Sequence, residues 1–324
     1  MKGTHRIVVQ NKRIRYDFEI RRNLTVIRGD SATGKTTLVE MIQEYYENGT
    51  ASGVQLTCDK ECQILGGRKW ATDLAEMRDS IVFIDEGNEF VFMDEFAAMI
   101  QNTDNYYVIV TREGIPSLPY SVEEIYGIRN SGKYGTLKQT YNEFFHLYQR
   151  TDYQYLIKPE IVVTEDSNAG YQFFKAVSDK AGIICCSAGG KSNIFAETVK
   201  INTQNHGTRI LVIADGAAFG AEKEKLVQFM NDHEEITLFL PESFEWLILA
   251  SGVVEDRELK EILAKPSEYV ESIQYFSWER FFTAVLVNRT EDSYLKYTKK
   301  TLNPSYLNEK IMTQILNVMK RIEF

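Results

Sequence analysis

Hydrophobic and polar residues alternate through the first part of the chain and then give way to short, wholly apolar runs. Residues 5–20 carry an apolar side chain at every second position on both sides of the polar pair Asn11-Lys12, which predicts a β-hairpin. Further along, apolar runs predict strands at 24–27, 80–84 and 106–110, and helical patterns predict helices at 36–46 and 93–100. Strands that alternate with helices predict an α/β domain with a parallel sheet.

A second alternation of the same kind begins near residue 158. Apolar runs predict strands at 160–164, 181–186, 209–214 and 236–240, and the helices predicted between and after them cover 170–179, 194–203, 222–231 and 244–251. Between the two alternations, Pro116, Pro119, Gly127, Gly132 and Gly135 predict a loop-rich stretch. We therefore expect two α/β domains, at 1–150 and 158–252.

From about residue 253 to 324 the pattern becomes helical. The last helix is predicted to begin at Asn303-Pro304-Ser305, with proline in its first turn. Six apolar residues then fall on one helical face: Leu307, Ile311, Ile315, Leu316, Met319 and Ile322. We interpret this stripe as core that packs on the second domain, with a dimer contact as the alternative.

Composition places the chain among soluble globular proteins. Of 324 residues, 44% are hydrophobic and 26% are charged, which excludes general disorder. The net charge of −9 argues against a protein that coats nucleic acid with basic surface. Residues 1–28 are locally basic, so the hairpin either contacts a phosphate backbone or protects a sheet edge with charge.

Neither a transmembrane run nor a signal peptide is predicted, and four cysteines without a Cys-x-x-Cys pair fit a reducing cytoplasm. Cys58 and Cys62 stand four residues apart, a spacing that suits a metal on a helix. We interpret them instead as ordinary thiols, because the chain has only 4 histidines to complete a zinc site.

One segment matches a phosphate-binding motif in full. Gly29-Asp30-Ser31-Ala32-Thr33-Gly34-Lys35-Thr36, here called the glycine loop, fits G-x-x-x-x-G-K-[ST] and stands between a predicted strand and a predicted helix. Its glycines let backbone N–H groups turn toward phosphate oxygens, and the helix N-terminus adds positive potential. Lys35 is placed for the β- and γ-phosphates and Thr36 for Mg²⁺, and Thr37 follows as a further nucleotide-binding residue.

The predicted strand 80–84 ends in Asp85 and Glu86. Asp85 is expected to orient Mg²⁺, and Glu86 to polarise the attacking water. Together with the glycine loop, this strand and its acids resemble the Walker A and Walker B motifs of P-loop NTPases, over about the first 145 residues. ATP is favoured over GTP because the Asn-Lys-x-Asp base-reading motif is missing, and the signature motif of ABC-type ATPases is missing as well.

Three cations are candidates for sensing the γ-phosphate: Arg112, Arg129 and Lys133. The alternative for each is a surface charge or a structural ion pair. A nucleotide or nucleoside kinase shares such a loop, with the stretch 129–133 as a candidate lid. Glu86 directly after Asp85 favours hydrolysis over transfer to a small molecule.

Acidic residues also end the strands predicted in the second domain. Glu165 and Asp215 follow two of them, and Glu242 and Glu245 follow a third. Because parallel strands end at one edge of a sheet, these acids converge, and converging carboxylates bind Mg²⁺ and support phosphodiester chemistry. The segment 189–192, Gly-Gly-Lys-Ser, is not a second phosphate loop, because Cys185 stands where the first glycine is required.

The second domain resembles the TOPRIM domain of OLD-family (overcoming lysogenization defect) nucleases, topoisomerases and primases, over about residues 158–252. The motifs that carry this resemblance are Val163-Thr164-Glu165-Asp166, Gly189-Gly190-Lys191-Ser192-Asn193-Ile194, Asp215-Gly216-Ala217-Ala218-Phe219-Gly220 and Leu240-Pro241-Glu242-Ser243-Phe244-Glu245. The resemblance implies that Glu165 and Asp215 are catalytic metal ligands. The chain departs from the family at Ala217, where an acid is usual, so Glu222, Glu242 or Glu245 would have to assist.

These observations predict an ATP-binding and ATP-hydrolysing α/β protein whose TOPRIM-like domain binds or cleaves nucleic acid. By resemblance, it is a reduced OLD-type protein and a metal-dependent nuclease of phage defence or of a mobile element. One alternative is an ATP-dependent switch whose TOPRIM-like half is a non-catalytic scaffold for a protein partner, and another is a small-molecule kinase. The expected ligands are ATP, Mg²⁺ and nucleic acid; a protein partner or a second copy of the chain is also expected, and a membrane is not.

Overall fold

The structure, a computed structural model, describes residues 1–29, 33–131, 139–148 and 153–324. The chain divides into two compact units, and neither is continuous in sequence. The first unit combines Met1–Gln149 with Lys265–Ser277, and the second combines Arg150–Ala264 with Trp278–Phe324. Each unit contains strands and helices, so the predicted α/β class is confirmed.

Strands β1 to β9 and helices α1 to α3 belong to the first unit. The strands are β1 (His5–Gln10), β2 (Ile14–Ile20), β3 (Leu24–Ile27), β4 (Gln55–Thr57), β5 (Glu61–Ile64), β6 (Ser80–Ile84), β7 (Tyr106–Val110), β8 (Ile125–Asn130) and β9 (Thr140–His146). The helices are α1 (Lys35–Asn48), α2 (Trp70–Glu76) and α3 (Asp94–Ile100). Within the described residues, the strands form one mixed sheet in the order β4-β1-β2-β9-β8-β3-β7-β6-β5.

The predicted hairpin is present as the antiparallel pair β1 and β2, and the apolar runs form the parallel part of the sheet. Strand β3 pairs with β7, β7 with β6, and β6 with β5, all in parallel. Every residue of β3, β6 and β7 is buried. Strands covered on both faces need apolar side chains on both faces, which explains why these segments are continuous apolar runs rather than alternating ones.

The sheet curves around α1. Its two edge strands, β4 and β5, are joined by only three residues, Cys58, Asp59 and Lys60. Leu38 and Ile42 of α1 belong to the same buried cluster as residues from strands across the sheet. The short link thus brings the two edges together over the helix, and we call Cys58–Lys60 the edge link.

Residues 265–277 join the first unit at the amino ends of its strands. The Gly3 N–H donates to the Ser267 carbonyl oxygen at 2.7 Å, and the Asn23 side chain donates to the Ser272 carbonyl oxygen at 3.2 Å. The Ser272 hydroxyl donates to the carbonyl oxygen of Asp104 at 3.0 Å. This segment interrupts what the sequence predicts as one C-terminal helical segment.

The predicted loop-rich stretch contains a strand, so that prediction is wrong at Gly127. Gly127 lies in β8 and pairs with Phe145 of β9 in antiparallel register. A Cβ on Gly127 would stand 2.5 Å from the Phe145 ring, so the ring fills the space that a side chain would occupy. Gly127 is therefore a packing residue rather than a turn residue. Gly132 and Gly135 lie outside the described residues.

The second unit holds a smaller sheet. Its strands are β10 (Ile161–Thr164), β11 (Ile184–Ser187), β12 (Ile210–Ile213) and β13 (Ile236–Phe239). Its helices are α4 (Ala169–Ala181), α5 (Ile194–Gln204), α6 (Gly220–Met230), α7 (Phe244–Ala250), α8 (Arg257–Ala264), α9 (Trp278–Thr290) and α10 (Glu309–Leu316). Within the described part of the chain the strand order is β11-β10-β12-β13, and all pairs are parallel.

The last helix begins later than predicted. Residues 304–307 form a short 3₁₀ helix, and α10 then starts anew, with the Asn308 side chain accepting a hydrogen bond from the Lys310 N–H at 3.1 Å. A second capping residue therefore ends the first turn and begins the next helix. Ile315 and Met319 are buried within the chain itself, which confirms the core interpretation of the stripe. Along the described ranges, no helix has the length and apolar character needed to cross a membrane.

Replacing Gly127 with alanine should lower the free energy of unfolding by about 1–3 kcal/mol, because the new methyl group is forced against the Phe145 ring. Denaturant titration of the two proteins measures the difference. The matched control is Gly127→Ala combined with Phe145→Ala. Because the clash needs both side chains, the double variant should lose less stability than the sum of the single variants, and strict additivity would contradict the packing described here.

Candidate functional site

The glycine loop connects β3 to α1 as predicted from its motif. Gly29 and Gly34 have φ angles of +131° and +92°, a backbone region that residues with a side chain rarely adopt. Gly34 directly precedes the first residue of α1. Asp30, Ser31 and Ala32 lie outside the described residues.

Lys35 is held inside the loop. Its side chain is buried, and its Nζ donates to the Gly29 carbonyl oxygen at 2.7 Å and to Thr33 Oγ1 at 3.2 Å. Thr36 is exposed and Thr37 is half-buried on the first turn of α1. Among the described residues, no side chain caps this helix and no acidic residue stands in its first turn. A helix N-terminus of this kind attracts anions.

Tyr16 of β2 and Asn142 of β9 surround the Gly34 backbone. The Tyr16 hydroxyl donates to the Gly34 carbonyl oxygen at 2.7 Å. A Cβ on Gly34 would lie 2.8 Å from the Tyr16 hydroxyl and 3.2 Å from Asn142 Nδ2, so only glycine fits. Burial raises the pKa of Tyr16, which keeps the donating proton in place. Sequence reasoning missed this role, because Tyr16 occupies an ordinary apolar position of the alternating pattern.

Asp85, Glu86 and Arg112 stand at the same edge of the sheet as the glycine loop, since β3, β7 and β6 are parallel neighbours. Burial raises the pKa of Asp85, while the Lys35 ammonium acts in the opposite direction. The Glu86 N–H donates to Asp85 Oδ1 at 2.8 Å. Arg112 Nε lies 2.5 Å from Glu86 Oε1. The structure therefore brings together the loop, the predicted metal carboxylate, the predicted base and one candidate cation.

The other candidate cations differ. Arg129 pairs with Glu143 on the adjacent strand at 2.7 Å, and its guanidinium lies 5.0 Å from the centre of the Phe145 ring. These contacts are those of a structural ion pair on the sheet. Lys133 lies outside the described residues.

Much of the basic charge of the hairpin region is paired. Arg6 and Arg15 both contact Asp17 at 2.8 Å. Arg21 and Arg22 contact Glu124 at 2.9 and 3.3 Å. The surface potential of this region is therefore weaker than the sequence count indicates.

In the second unit, the ends of β10 and β12 bring Glu165 and Asp215 together. These strands are parallel neighbours, and the Asp215 N–H donates to Glu165 Oε2 at 3.0 Å. The two acids line a narrow cleft that opens to solvent. Glu245, Tyr297 and Lys299 also line this cleft, which we call the acid cleft.

The carboxylates of the acid cleft disfavour one another's ionisation. Burial raises the pKa of Glu165 to about 7. The Asp215 N–H acts against this shift, and the charge of Glu279 adds to it. Burial also raises the pKa of Asp215 well above its ordinary value. The negative charges of Glu279, Glu165 and Glu245 raise it further. Lys299 opposes this shift and pairs with Glu279. Glu165 and Asp215 therefore hold protons more tightly than isolated carboxylates would.

Backbone packing restricts the turn that carries Asp215. The Gly216 N–H donates to the Pro241 carbonyl oxygen at 2.6 Å, and a Cβ on Gly216 would lie 2.9 Å from that oxygen. Ala217, where the resembling family has an acid, is 2% exposed. Lys191 Nζ donates to the Ala218 carbonyl oxygen at 3.4 Å, and its charge lowers the pKa of Glu165.

The three acids predicted to assist in binding the metal ion, Glu222, Glu242 and Glu245, lie in different places. Glu245 lies in the cleft and accepts a hydrogen bond from the Tyr297 hydroxyl at 2.9 Å. Glu222 and Glu242 are buried and are not among its lining residues. Sequence reasoning missed Glu279, Tyr297 and Lys299, because they come from the helical segment, where no motif marks them. Across the described residues, no group of three or more His, Cys, Asp or Glu side chains is arranged to hold a metal ion.

Comparison of the chain with protein-family models and with curated proteins gives no match.

The raised pKa of Glu165 predicts how stability depends on pH. Its folded state holds the proton more tightly than the unfolded chain, so its contribution to stability is present below pH 4.5 and is lost as the pH rises toward about 7. Melting temperatures across this range should therefore fall less steeply for Glu165→Gln than for the wild type. The control is Glu291→Gln, which changes an exposed carboxylate outside the cleft. Identical profiles for the wild type and Glu165→Gln would contradict the electrostatics described here.

Proposed function

We propose that the first unit binds ATP with Mg²⁺ and hydrolyses it. One observation carries the proposal: the buried Lys35 lies in a glycine loop at an uncapped helix N-terminus, at the same sheet edge as Asp85 and Glu86. A polyphosphate requires donors and positive potential at one point and a carboxylate for its metal ion nearby. The resemblance to Walker A and Walker B motifs supports the same assignment.

Each residue then has a distinct role. Lys35 exchanges its bonds to Gly29 and Thr33 for oxygens of the β- and γ-phosphates, and the exposed Thr36 hydroxyl and Asp85 hold Mg²⁺. Mg²⁺ held there would neutralise part of the phosphate charge. Glu86 orients the attacking water, and its ion pair with Arg112 keeps the two side chains together until nucleotide binds.

We further propose that the acid cleft binds Mg²⁺ and acts on the phosphodiester backbone of nucleic acid. A divalent cation would relieve the repulsion that neighbouring carboxylates, Glu279 first among them, add to the effect of burial on the pKa values of Glu165 and Asp215. Mg²⁺ is commonly held by one or two carboxylates and completes its shell with water and substrate phosphates. The nucleic-acid substrate itself follows from the resemblance to TOPRIM domains.

The alternative is an ATP-dependent switch in which the second unit is a scaffold for a protein partner. The specific observation in its favour is Ala217, which supplies no carboxylate at a buried position of the Asp215 turn. A site with two metal ions would lack a ligand there.

The first test measures nucleotide binding and phosphate release. Lys35→Ala should weaken ATP binding by at least about tenfold, because a charge-assisted contact to phosphate is lost. Glu86→Gln should keep ATP binding but slow hydrolysis by about 10²–10⁴-fold, the usual contribution of a general base. The matched control, Lys12→Ala, changes an exposed lysine of the hairpin and should leave both quantities unchanged.

Normal ATP binding by Lys35→Ala would show that the nucleotide site lies elsewhere. Labelled γ-phosphate recovered on an added nucleoside, rather than as inorganic phosphate, would indicate the small-molecule kinase instead of the ATPase.

The second test is a cleavage assay on plasmid DNA, single-stranded DNA and structured RNA, with Mg²⁺ or Mn²⁺ and with or without ATP. We expect metal-dependent cleavage by the wild type and at least about a tenfold loss in Glu165→Ala, since removal of a metal ligand costs affinity and rate. Glu291→Ala serves as the control. Absence of cleavage under every condition, together with normal ATP binding, would exclude the nuclease and favour the scaffold.

A further inference from the structure

The edge link contains a pair of thiols that neither proposed site uses. Cys58 is the first residue of the link, and Cys62 is the second residue of β5. Cys58 is half-buried, whereas Cys62 is buried in the core of the first unit. The pair therefore combines one sulfur that a small solute can reach with one that it cannot.

The backbone folds both sulfurs toward the same residue. The Lys60 N–H donates to Cys58 Sγ at 3.5 Å, and the Cys62 thiol donates to the Lys60 carbonyl oxygen at 3.9 Å. Both sulfurs therefore lie against the backbone of one residue, Lys60. Each thiol is also the largest influence on the pKa of the other: the pKa of Cys58 is lowered and that of Cys62 is raised. Proximity of two sulfur atoms is the first requirement for a disulfide.

Interactions on both sides fix the link that carries these sulfurs. The Asp59 carboxylate contacts the buried His5 ring at 2.9 Å, and Lys60 Nζ lies 2.5 Å from the Asp79 carboxylate. Asp79 directly precedes β6, the strand that Asp85 follows. The geometry of the turn is thus set by contacts to two neighbouring segments and not by the thiols alone.

We propose that Cys58 and Cys62 form a reversible modification site, at which a hydroperoxide such as hydrogen peroxide converts the two thiols into an intramolecular disulfide. Cys58, as thiolate, attacks one peroxide oxygen; the O–O bond breaks, one water is released, and Cys58 becomes a sulfenic acid. The Cys62 sulfur then attacks the Cys58 sulfur, and a second water leaves. In sum, two thiols and one hydrogen peroxide give one disulfide and two water molecules.

The chain offers a matched control in Cys185 and Cys186. These adjacent residues lie in β11, where successive side chains point to opposite faces, so their sulfurs do not face each other. Burial raises the pKa of both, to about 11 for Cys185, so less of the reactive thiolate is present.

Trypsin distinguishes the two pairs by mass. Cleavage after Lys60 separates Cys58 and Cys62 into the peptides 36–60 and 61–68, whereas Cys185 and Cys186 remain together in 181–191. The full-length protein is treated with hydrogen peroxide, its remaining thiols are alkylated, and the digest is examined by mass spectrometry. We expect peptide 36–60 joined to 61–68, and its separation by dithiothreitol. The disulfide between Cys58 and Cys62 should form at least about tenfold faster than any oxidation product at Cys185 or Cys186.

Variants identify the order of the steps. In Cys62→Ala the sulfenic acid of Cys58 has no partner, so dimedone should label peptide 36–60. In Cys58→Ser no linked peptide should form. If either variant fails to fold, the linked peptide in the wild-type protein still decides the matter.

Three results would overturn the proposal. One is peptides 36–60 and 61–68 recovered unlinked while Cys58 accumulates as sulfinic acid. Another is a linkage between two copies of peptide 36–60, which would place the disulfide between molecules. The last is oxidation of Cys185 or Cys186 before Cys58.

Discussion

The parallel pairing of β3, β7 and β6 is the constraint on which the first unit depends. Because parallel strands end at the same edge, the glycine loop, Arg112 and the acids Asp85 and Glu86 reach one place although they are distant in sequence. The same rule operates in the second unit, where β10 and β12 deliver Glu165 and Asp215. Backbone direction, rather than any one side-chain contact, therefore assembles both candidate sites.

Features encoded locally could be predicted, and features that depend on distant partners could not. The strands at 24–27 and 80–84 follow from continuous apolar runs, and the position of Lys35 follows from the glycine spacing. Gly127 is different: it reads as a turn residue until Phe145, from another strand, is known to cover it. Glu279 and Lys299 also could not be predicted from the sequence, because their charges affect the site only when folding brings them close to Asp215.

The two sites differ in how their charges are balanced. In the first unit Lys35 and Arg112 stand among Asp85 and Glu86, so opposite charges offset one another before any ligand binds. Around Asp215 of the acid cleft, the charge of Lys299 opposes those of Glu279, Glu165 and Glu245. Like charges gathered in a partly buried cleft lower the stability of the fold. Proteins retain such an arrangement where a functional site requires it.

The return of residues 265–277 to the first unit has a consequence for biosynthesis. A chain that emerges from the ribosome in order exposes strands β1 to β9 long before the segment that contacts Gly3, Asn23 and Asp104 has been made. Domains usually fold in the order of their synthesis. Here the first unit can be completed only after most of the second has been translated. Until then, the amino ends of the first unit's strands lack the contacts that residues 265–277 provide. Premature termination before residue 265 would remove those contacts altogether.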